Sequence, residues 1–122
     1  MAPYYLENDM SSDNALTTHR IRELNDALRR TLQGGQIMMT RGVNELGPLA
    51  VRQLLDRLRT YDCFDEDNDP YGEHDFGAFE DGSTKFFWKI DYYDPAFTSG
   101  SDDPSDPSKT SRVLTLMLAE EY

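Results

Sequence analysis

The chain has 122 residues, of which 23 are acidic and 12 are basic, so its formal net charge is −11. A chain of this length is expected to build one domain around a single sizeable core. Its one cysteine excludes an internal disulfide and a cysteine-based zinc site, which favours a reducing, cytoplasmic location. No apolar run approaches the roughly 18 residues that a membrane-spanning helix needs, and the first ten residues lack the features of a signal peptide.

The negative charge is concentrated in the second half of the chain. Residues 1–60 hold seven acids and eight bases, whereas residues 61–122 hold sixteen acids and four bases. Such a surface repels nucleic acid and anionic membranes and attracts basic partners. We therefore expect a protein partner with a basic surface, and no direct contact with nucleic acid or membrane. The alternative interpretation is that the acidity serves only solubility.

The first predicted element is an amphipathic helix. Residues 1–13 show no hydrophobic periodicity and are predicted to be a flexible N-terminal arm, with residues 14–122 forming a single domain. The helix is predicted to start near residue 14 and to end at Gly34-Gly35. Its arginines are expected to lie on a solvated face. Its apolar stripe contains Ile21, Leu24, Leu28 and Leu32.

Two further elements are predicted before the acidic region. Residues 36–43 are rich in apolar side chains and predict a short strand. Pro48 suits the first turn of a second helix, because its fixed φ is compatible with a helical start. The apolar stripe of that helix contains Val51, Leu54, Leu55 and Leu58.

A β-hairpin is the strongest local signal in the chain. Asp81-Gly82 separates two aromatic-rich runs and predicts a two-residue turn, which pairs Phe79 with Thr84. Strand alternation then places an apolar face toward the core and a mixed aromatic and charged face outward. The predicted core face contains Phe79, Phe86, Trp88 and Ile90, and the outward face contains His74, Phe76, Ala78, Phe87, Lys89 and Asp91.

The rest of the chain predicts a loop and a last strand. Residues 95–109 contain two Asp-Pro pairs and a Ser-Gly pair, which break regular structure. Residues 111–119 alternate in a way that favours a buried strand over a helix. Two helices and about four strands that do not alternate regularly predict an α+β fold, with a mainly antiparallel sheet and two helices packed on one of its faces.

The acids of the second half are the candidate binding site. Several carboxylates along a loop and a strand edge would occupy a basic groove in which Lys and Arg normally neutralise phosphates. The first group contains Asp65, Glu66, Asp67, Asp69, Glu73, His74 and Asp75, and the second contains Asp102, Asp103 and Asp106. The opening of the first group has the spacing of a calcium-binding EF-hand loop, but Pro70 stands where that loop needs glycine. No metal and no cofactor are therefore predicted.

An alternative interpretation is a metal-assisted or acid–base enzyme. Glu73, His74, Lys89 and Asp91 would share a strand face, and imidazole titrates near neutral pH. The chain shows no accompanying nucleophile or glycine-rich phosphate cradle, so we expect no catalytic residue and a histidine held by a cross-strand carboxylate. Cys63 is expected to be a buried structural thiol, because its acidic surroundings disfavour a thiolate.

Three segments carry a resemblance to a known family. They read GEHDFGAF at residues 72–79, FWKIDYYD at residues 87–94 and RVLTLMLAEEY at residues 112–122. They resemble an uncharacterised bacterial family of short acidic proteins, a domain of unknown function common on plasmids and mobile elements, over residues 20–122. The resemblance implies a plasmid or phage lifestyle and transfers no reaction or ligand.

The resemblance and the charge together favour one function. We expect a non-enzymatic, protein-binding inhibitor of a host nucleic-acid-targeting defence system, of the anti-CRISPR or anti-restriction type. An accessory or regulatory plasmid protein, whose acidity only maintains solubility, is a further alternative.

Overall fold

The structure is a computed structural model that describes the backbone of residues 2–122 and the side chains of residues 14–122. The predicted flexible arm, residues 1–13, lies outside the described side chains. Its separation from a domain at residues 14–122 stays a prediction.

Among the described residues, four strands form a single sheet. They are β1 (Gln36–Met39), β2 (Phe76–Asp81), β3 (Thr84–Tyr93) and β4 (Ser111–Leu118), in the spatial order β1-β4-β3-β2. β3 lies antiparallel to both of its neighbours, whereas β1 runs parallel to β4. The predicted α+β fold with a mainly antiparallel sheet is confirmed, and so is the prediction of a strand rather than a helix after residue 110.

In the part of the chain that the structure describes, three α-helices accompany the sheet: α1 (Ala2–Thr31), α2 (Arg41–Asn44) and α3 (Pro48–Arg59). The short helix α2 replaces the second half of the strand that the sequence predicted at residues 36–43. Its start is held by Glu121, whose carboxylate accepts hydrogen bonds from the Thr40 hydroxyl and the Gly42 N–H. These contacts turn the chain away from the sheet after Met39.

The core lies between the helices and one face of the sheet. Leu28 of α1 and Leu54 and Leu58 of α3 are buried in one cluster with side chains from β2, β3 and β4. The predicted core face of the hairpin is confirmed, because all four of its residues are buried: Phe79, Phe86, Trp88 and Ile90. Trp88 is fully buried and lies on β3, one of the two inner strands of the sheet.

The hairpin register was predicted wrongly by two residues. Phe79 pairs with Phe86 and Asp81 pairs with Thr84, so the turn consists of Gly82 and Ser83. Gly82 has a φ of 63°. A turn with glycine first needs a positive φ at that residue alone, whereas the predicted Asp-Gly turn needs it at both residues. A shift of two residues keeps every side chain on its face, so the predicted core survives this error.

The second face of the sheet, here called the open face, carries no described helix. The rings of Phe76 and Phe87 lie on it with centroids 5.3 Å apart, and the Tyr122 ring packs beside both. His74 was predicted to share this face, which is wrong. It precedes β2 with a φ of 55°, and its side chain contacts Asp26 of α1 on the helical side of the sheet.

Close packing of Trp88 against β2 gives a stability prediction. A Cβ atom added to Gly77 would lie 2.4 Å from Trp88 Nε1 and 2.7 Å from Tyr61 Cζ. Because both rings belong to the core, we expect Gly77→Ala to lower the free energy of unfolding by roughly 1–3 kcal/mol. Gly100→Ala is the matched control, since its Cβ would meet only the Tyr92 carbonyl oxygen at 3.8 Å. Equal urea midpoints for the two variants would contradict this packing.

Candidate functional site

The acidic segment before β2 folds into a turn that uses part of its own charge. The Asp65 carboxylate accepts hydrogen bonds from the backbone N–H groups of Asp67 and Asn68, both at 2.9 Å. The Asn68 side chain donates to the Cys63 carbonyl at 2.7 Å and accepts from the Asp65 N–H at 3.0 Å. Asp65 is exposed, but its carboxylate stabilises the turn through these hydrogen bonds.

Asp69 faces inward from the same turn. It is 9% exposed, its Oδ1 accepts a hydrogen bond from the His74 N–H at 3.1 Å, and its Oδ2 lies 3.6 Å from His74 Nε2. The positive φ of His74 is rare for a residue with a side chain and requires support from its surroundings. Asp69 supplies that support to both the backbone and the ring, so its carboxylate is not available to a partner.

The His74 ring is fixed from two further directions. It stacks on Phe64 with centroids 3.7 Å apart, and its Nδ1 lies 2.9 Å from Asp26 Oδ1. Asp26 also accepts a hydrogen bond of 2.8 Å from Arg29, whose guanidinium lies over the rings of Phe64 and Trp88. These contacts join the acidic loop to α1 and to the sheet.

Arg29 and Cys63 differ from their predictions. Arg29, expected on a solvated helix face, is fully buried, because the apolar stripe of α1 turns it toward the loop and the sheet. Cys63, expected to be buried, is exposed, because the neighbouring Tyr61 and Phe64 fill the inward positions.

Asp26 remains ionised in this setting. Burial alone would raise the pKa of its carboxyl group, but hydrogen bonds from Arg29 and His74 outweigh burial and hold the pKa below its usual value. Asp26 was not among the predicted site residues. Its place three residues before Arg29 was the one available signal, since such a spacing brings two side chains together on a helix.

A second group of polar contacts centres on Asn25, which is fully buried. Its amide donates to the Glu73 carbonyl at 3.0 Å and to the Tyr92 hydroxyl at 2.8 Å. Tyr92 in turn donates to Glu73 Oε1 at 2.7 Å, and burial together with this bond raises the pKa of the phenol. Arg112 donates from Nε to Asn25 Oδ1 at 2.8 Å and from Nη2 to the Pro104 carbonyl.

Arg112 is a second buried cation. It is 3% exposed, and within the part of the chain whose side chains are described no carboxylate lies within 4.0 Å of it. Burial lowers the pKa of its guanidinium, which lies over the Tyr92 ring at 5.3 Å. We call the two joined groups the polar cluster: Asn25, Asp26, Arg29, Asp69, Glu73, His74, Tyr92 and Arg112.

The acid–base group considered from the sequence is not brought together. Glu73 and His74 belong to the polar cluster on the helical side, whereas Lys89 and Asp91 form an ion pair of 2.9 Å on the open face. Acid–base catalysis needs its groups within hydrogen-bond reach of one proton. Among the side chains described, no group of three histidine, cysteine or acidic residues is placed to hold a metal ion.

Two acids of the second predicted group are engaged in local structure. Asp103 accepts hydrogen bonds from the N–H and the hydroxyl of Ser105. Asp106 caps a single 3₁₀ turn, Pro107–Lys109, by accepting from the Ser108 N–H at 2.9 Å. Asp75 is half-buried, and burial together with the nearby Glu73 raises the pKa of its carboxyl group.

Three predicted acids remain as an exposed group, here called the free acids: Glu66, Asp67 and Asp102. Among the described residues, none of their carboxylates accepts a hydrogen bond or forms an ion pair. Asp62, which was not among the predicted site residues, is also exposed, and the hydrogen bond described for its carboxylate comes from the Cys63 thiol at 3.9 Å. These exposed carboxylates take no part in the described ion pairs of the fold.

A family model described as "Protein of unknown function (DUF3768)" matches residues 39–121. The chain belongs to this family. The predicted resemblance to an uncharacterised family is thereby confirmed, over a region that includes α2, α3 and strands β2, β3 and β4. Comparisons with curated proteins and with solved structures find no match. Within the described residues, no helix combines the length and the apolar character that crossing a membrane would require.

Asp26→Asn tests the role of the polar cluster in stability. The substitution leaves the buried Arg29 without its carboxylate, so we expect the free energy of unfolding at pH 7 to fall by about 3 kcal/mol. The folded-state pKa of Asp26 lies below its ordinary value of 3.8, so its contribution is present above about pH 4 and is lost as pH falls through the folded-state pKa. The stabilities of wild type and variant should therefore converge in acid.

Denaturant unfolding at several pH values measures this difference. Asp67→Asn is the matched control, because the Asp67 carboxylate has no described partner, and its stability should equal that of the wild type. A deficit of Asp26→Asn that stays constant into strong acid would show that packing, and not the carboxylate charge, is responsible.

Proposed function

We propose that this protein is a small cytoplasmic binding protein that inhibits a nucleic-acid-targeting defence system, of the anti-CRISPR or anti-restriction type, by occupying a basic nucleic-acid-binding surface. The observation that carries the proposal is the group of free acids, which the fold itself does not use. Lys and Arg in such a surface normally neutralise phosphates, and carboxylates compete for the same cations.

The turn before β2 is the main contact in this proposal. Glu66 and Asp67 lie at its apex, and the hydrogen bonds of Asp65 and Asn68 fix the backbone below them. A contact surface that is already ordered loses less conformational entropy on binding. The buried Asp69 then acts as a support for the turn and does not touch the partner.

The mobile-element setting implied by the sequence resemblance supports the same proposal. Plasmids and phages are the targets of nucleic-acid-directed defence, so an inhibitor of that defence benefits the element that encodes it. If the chain is instead an accessory protein whose acidity serves only solubility, it will bind no such effector and will leave plasmid interference unchanged.

Reversing both charges at the apex tests the proposal. We expect Glu66→Lys with Asp67→Lys to weaken effector binding roughly tenfold or more, because each reversal replaces an attraction by a repulsion. Replacement of either residue by alanine alone should cost on the order of 1 kcal/mol or less, as is usual for exposed ion pairs. The readouts are plasmid transformation into hosts that carry such a system, and binding to the purified effector across a salt series.

The matched control is Glu23→Lys with Glu45→Lys, which changes the net charge equally but on exposed positions of the helical layer. It should retain binding and inhibition. Equal losses in the two double variants would mean that only net charge matters, and an affinity that barely changes with salt would refute an acidic contact surface.

A further inference from the structure

An apolar groove of about 410 Å³ lies between the C-terminal end of α1 and helix α3. Four apolar residues line it: Leu32, Pro48, Val51 and Leu55. Beside Pro48 in the chain, Leu46 and Leu49 are 47% and 69% exposed. Apolar side chains concentrated at one place on a surface mark a contact site more often than scattered ones do.

The rim of the groove is basic, in a chain whose net charge is −11. Arg52 and Arg59 line it together with Asp56, and Arg30 adjoins it, since its carbonyl accepts a hydrogen bond of 2.9 Å from Arg59 Nε. Among the side chains that the structure describes, none of these arginines has a carboxylate within 4.0 Å. Clustered cations left over in an acid-rich chain favour an occupant that is both acidic and apolar.

We infer that the groove binds residues 1–13 of a second copy of this chain. That segment reads MAPYYLENDMSSD and contains three acids and no lysine or arginine. It also offers large apolar side chains at four positions: Tyr4, Tyr5, Leu6 and Met10. The segment thus complements both the apolar lining and the basic rim of the groove.

The length of α1 explains why the occupant comes from a second copy. The helix is continuous from Ala2 to Thr31, and at about 1.5 Å per residue Asn14 lies roughly 26 Å from the end that borders the groove. The first described part of the helix is exposed, and Leu16 is 67% exposed. Two antiparallel α1 helices bring the first residues of each copy to the groove of the other, which closes the pair as a two-fold dimer.

Charge-reversal variants of the groove and of residues 1–13 test the inference. The measurement is sedimentation velocity of the full chain. The wild type should form a dimer that weakens as salt rises. Arg52→Glu with Arg59→Glu should weaken dimerisation at least tenfold, and Glu7→Arg with Asp9→Arg should do the same, because each variant then opposes like charges in both contacts. An equimolar mixture of the two variants should form a heterodimer, because both of its contacts join opposite charges.

The control is Lys85→Glu with Lys109→Glu, which adds the same negative charge as the groove variant at exposed positions away from the groove. It should dimerise like the wild type, and far-UV circular dichroism should show all variants folded. A wild type that stays monomeric at high micromolar concentration would overturn the inference. So would a dimer that resists both double variants, which would point to the open face, or a mixture that fails to form the heterodimer.

Discussion

Burial of the Arg29 guanidinium is the constraint on which the rest of this structure depends. A buried cation costs several kcal/mol unless charge and hydrogen-bond acceptors surround it. Here Asp26 accepts at 2.8 Å and the Tyr61 carbonyl at 3.0 Å, while the rings of Phe64 and Trp88 cover the flat faces. The cation thereby fixes α1, the loop after α3 and strand β3 relative to one another. Of its three nitrogen atoms, Nε is the one that lacks a described hydrogen-bond partner.

Part of the unusual acidity of the second half is used inside the same polar cluster. Asp26, the ion-pair partner of Arg29, lies in the first half of the chain. The second half adds two inward acids: Asp69, which supports His74, and Glu73, which accepts from the Tyr92 hydroxyl. The carboxylate density before β2 therefore has two separate causes. Inward acids hold the Tyr92 hydroxyl and support the strained His74 backbone, whereas Glu66 and Asp67 remain on the surface. Among the described side chains, the carboxylates of the second kind have no hydrogen-bond or ion-pair role in the fold.

The features that the sequence predicts correctly are those that depend on local physical signals. Alternation along β3 and β4 predicted the strands and the core position of Trp88, because period-two patterns depend only on burial of one face. The hairpin register was missed because it depends on which residue carries the positive φ, and Gly82 fits a turn starting at either of two places. The location of His74 and the burial of Arg29 were missed because both depend on contacts between distant segments, and charged residues on an amphipathic helix otherwise resemble a solvated face.

The proposed partner contact and the proposed self-association use different parts of the molecule. The apex of the acidic turn belongs to the loop before β2, whereas the groove lies on the helical layer and is lined by Arg52 and Arg59. Neither contact therefore blocks the other, and a dimer held through the grooves would present two acidic apices at a fixed separation. Two linked contacts bind a partner with repeated basic sites far more tightly than one, provided that the spacing matches. Self-association would then convert several weak, exposed ion pairs into a specific interaction without any new contact at the acidic turn.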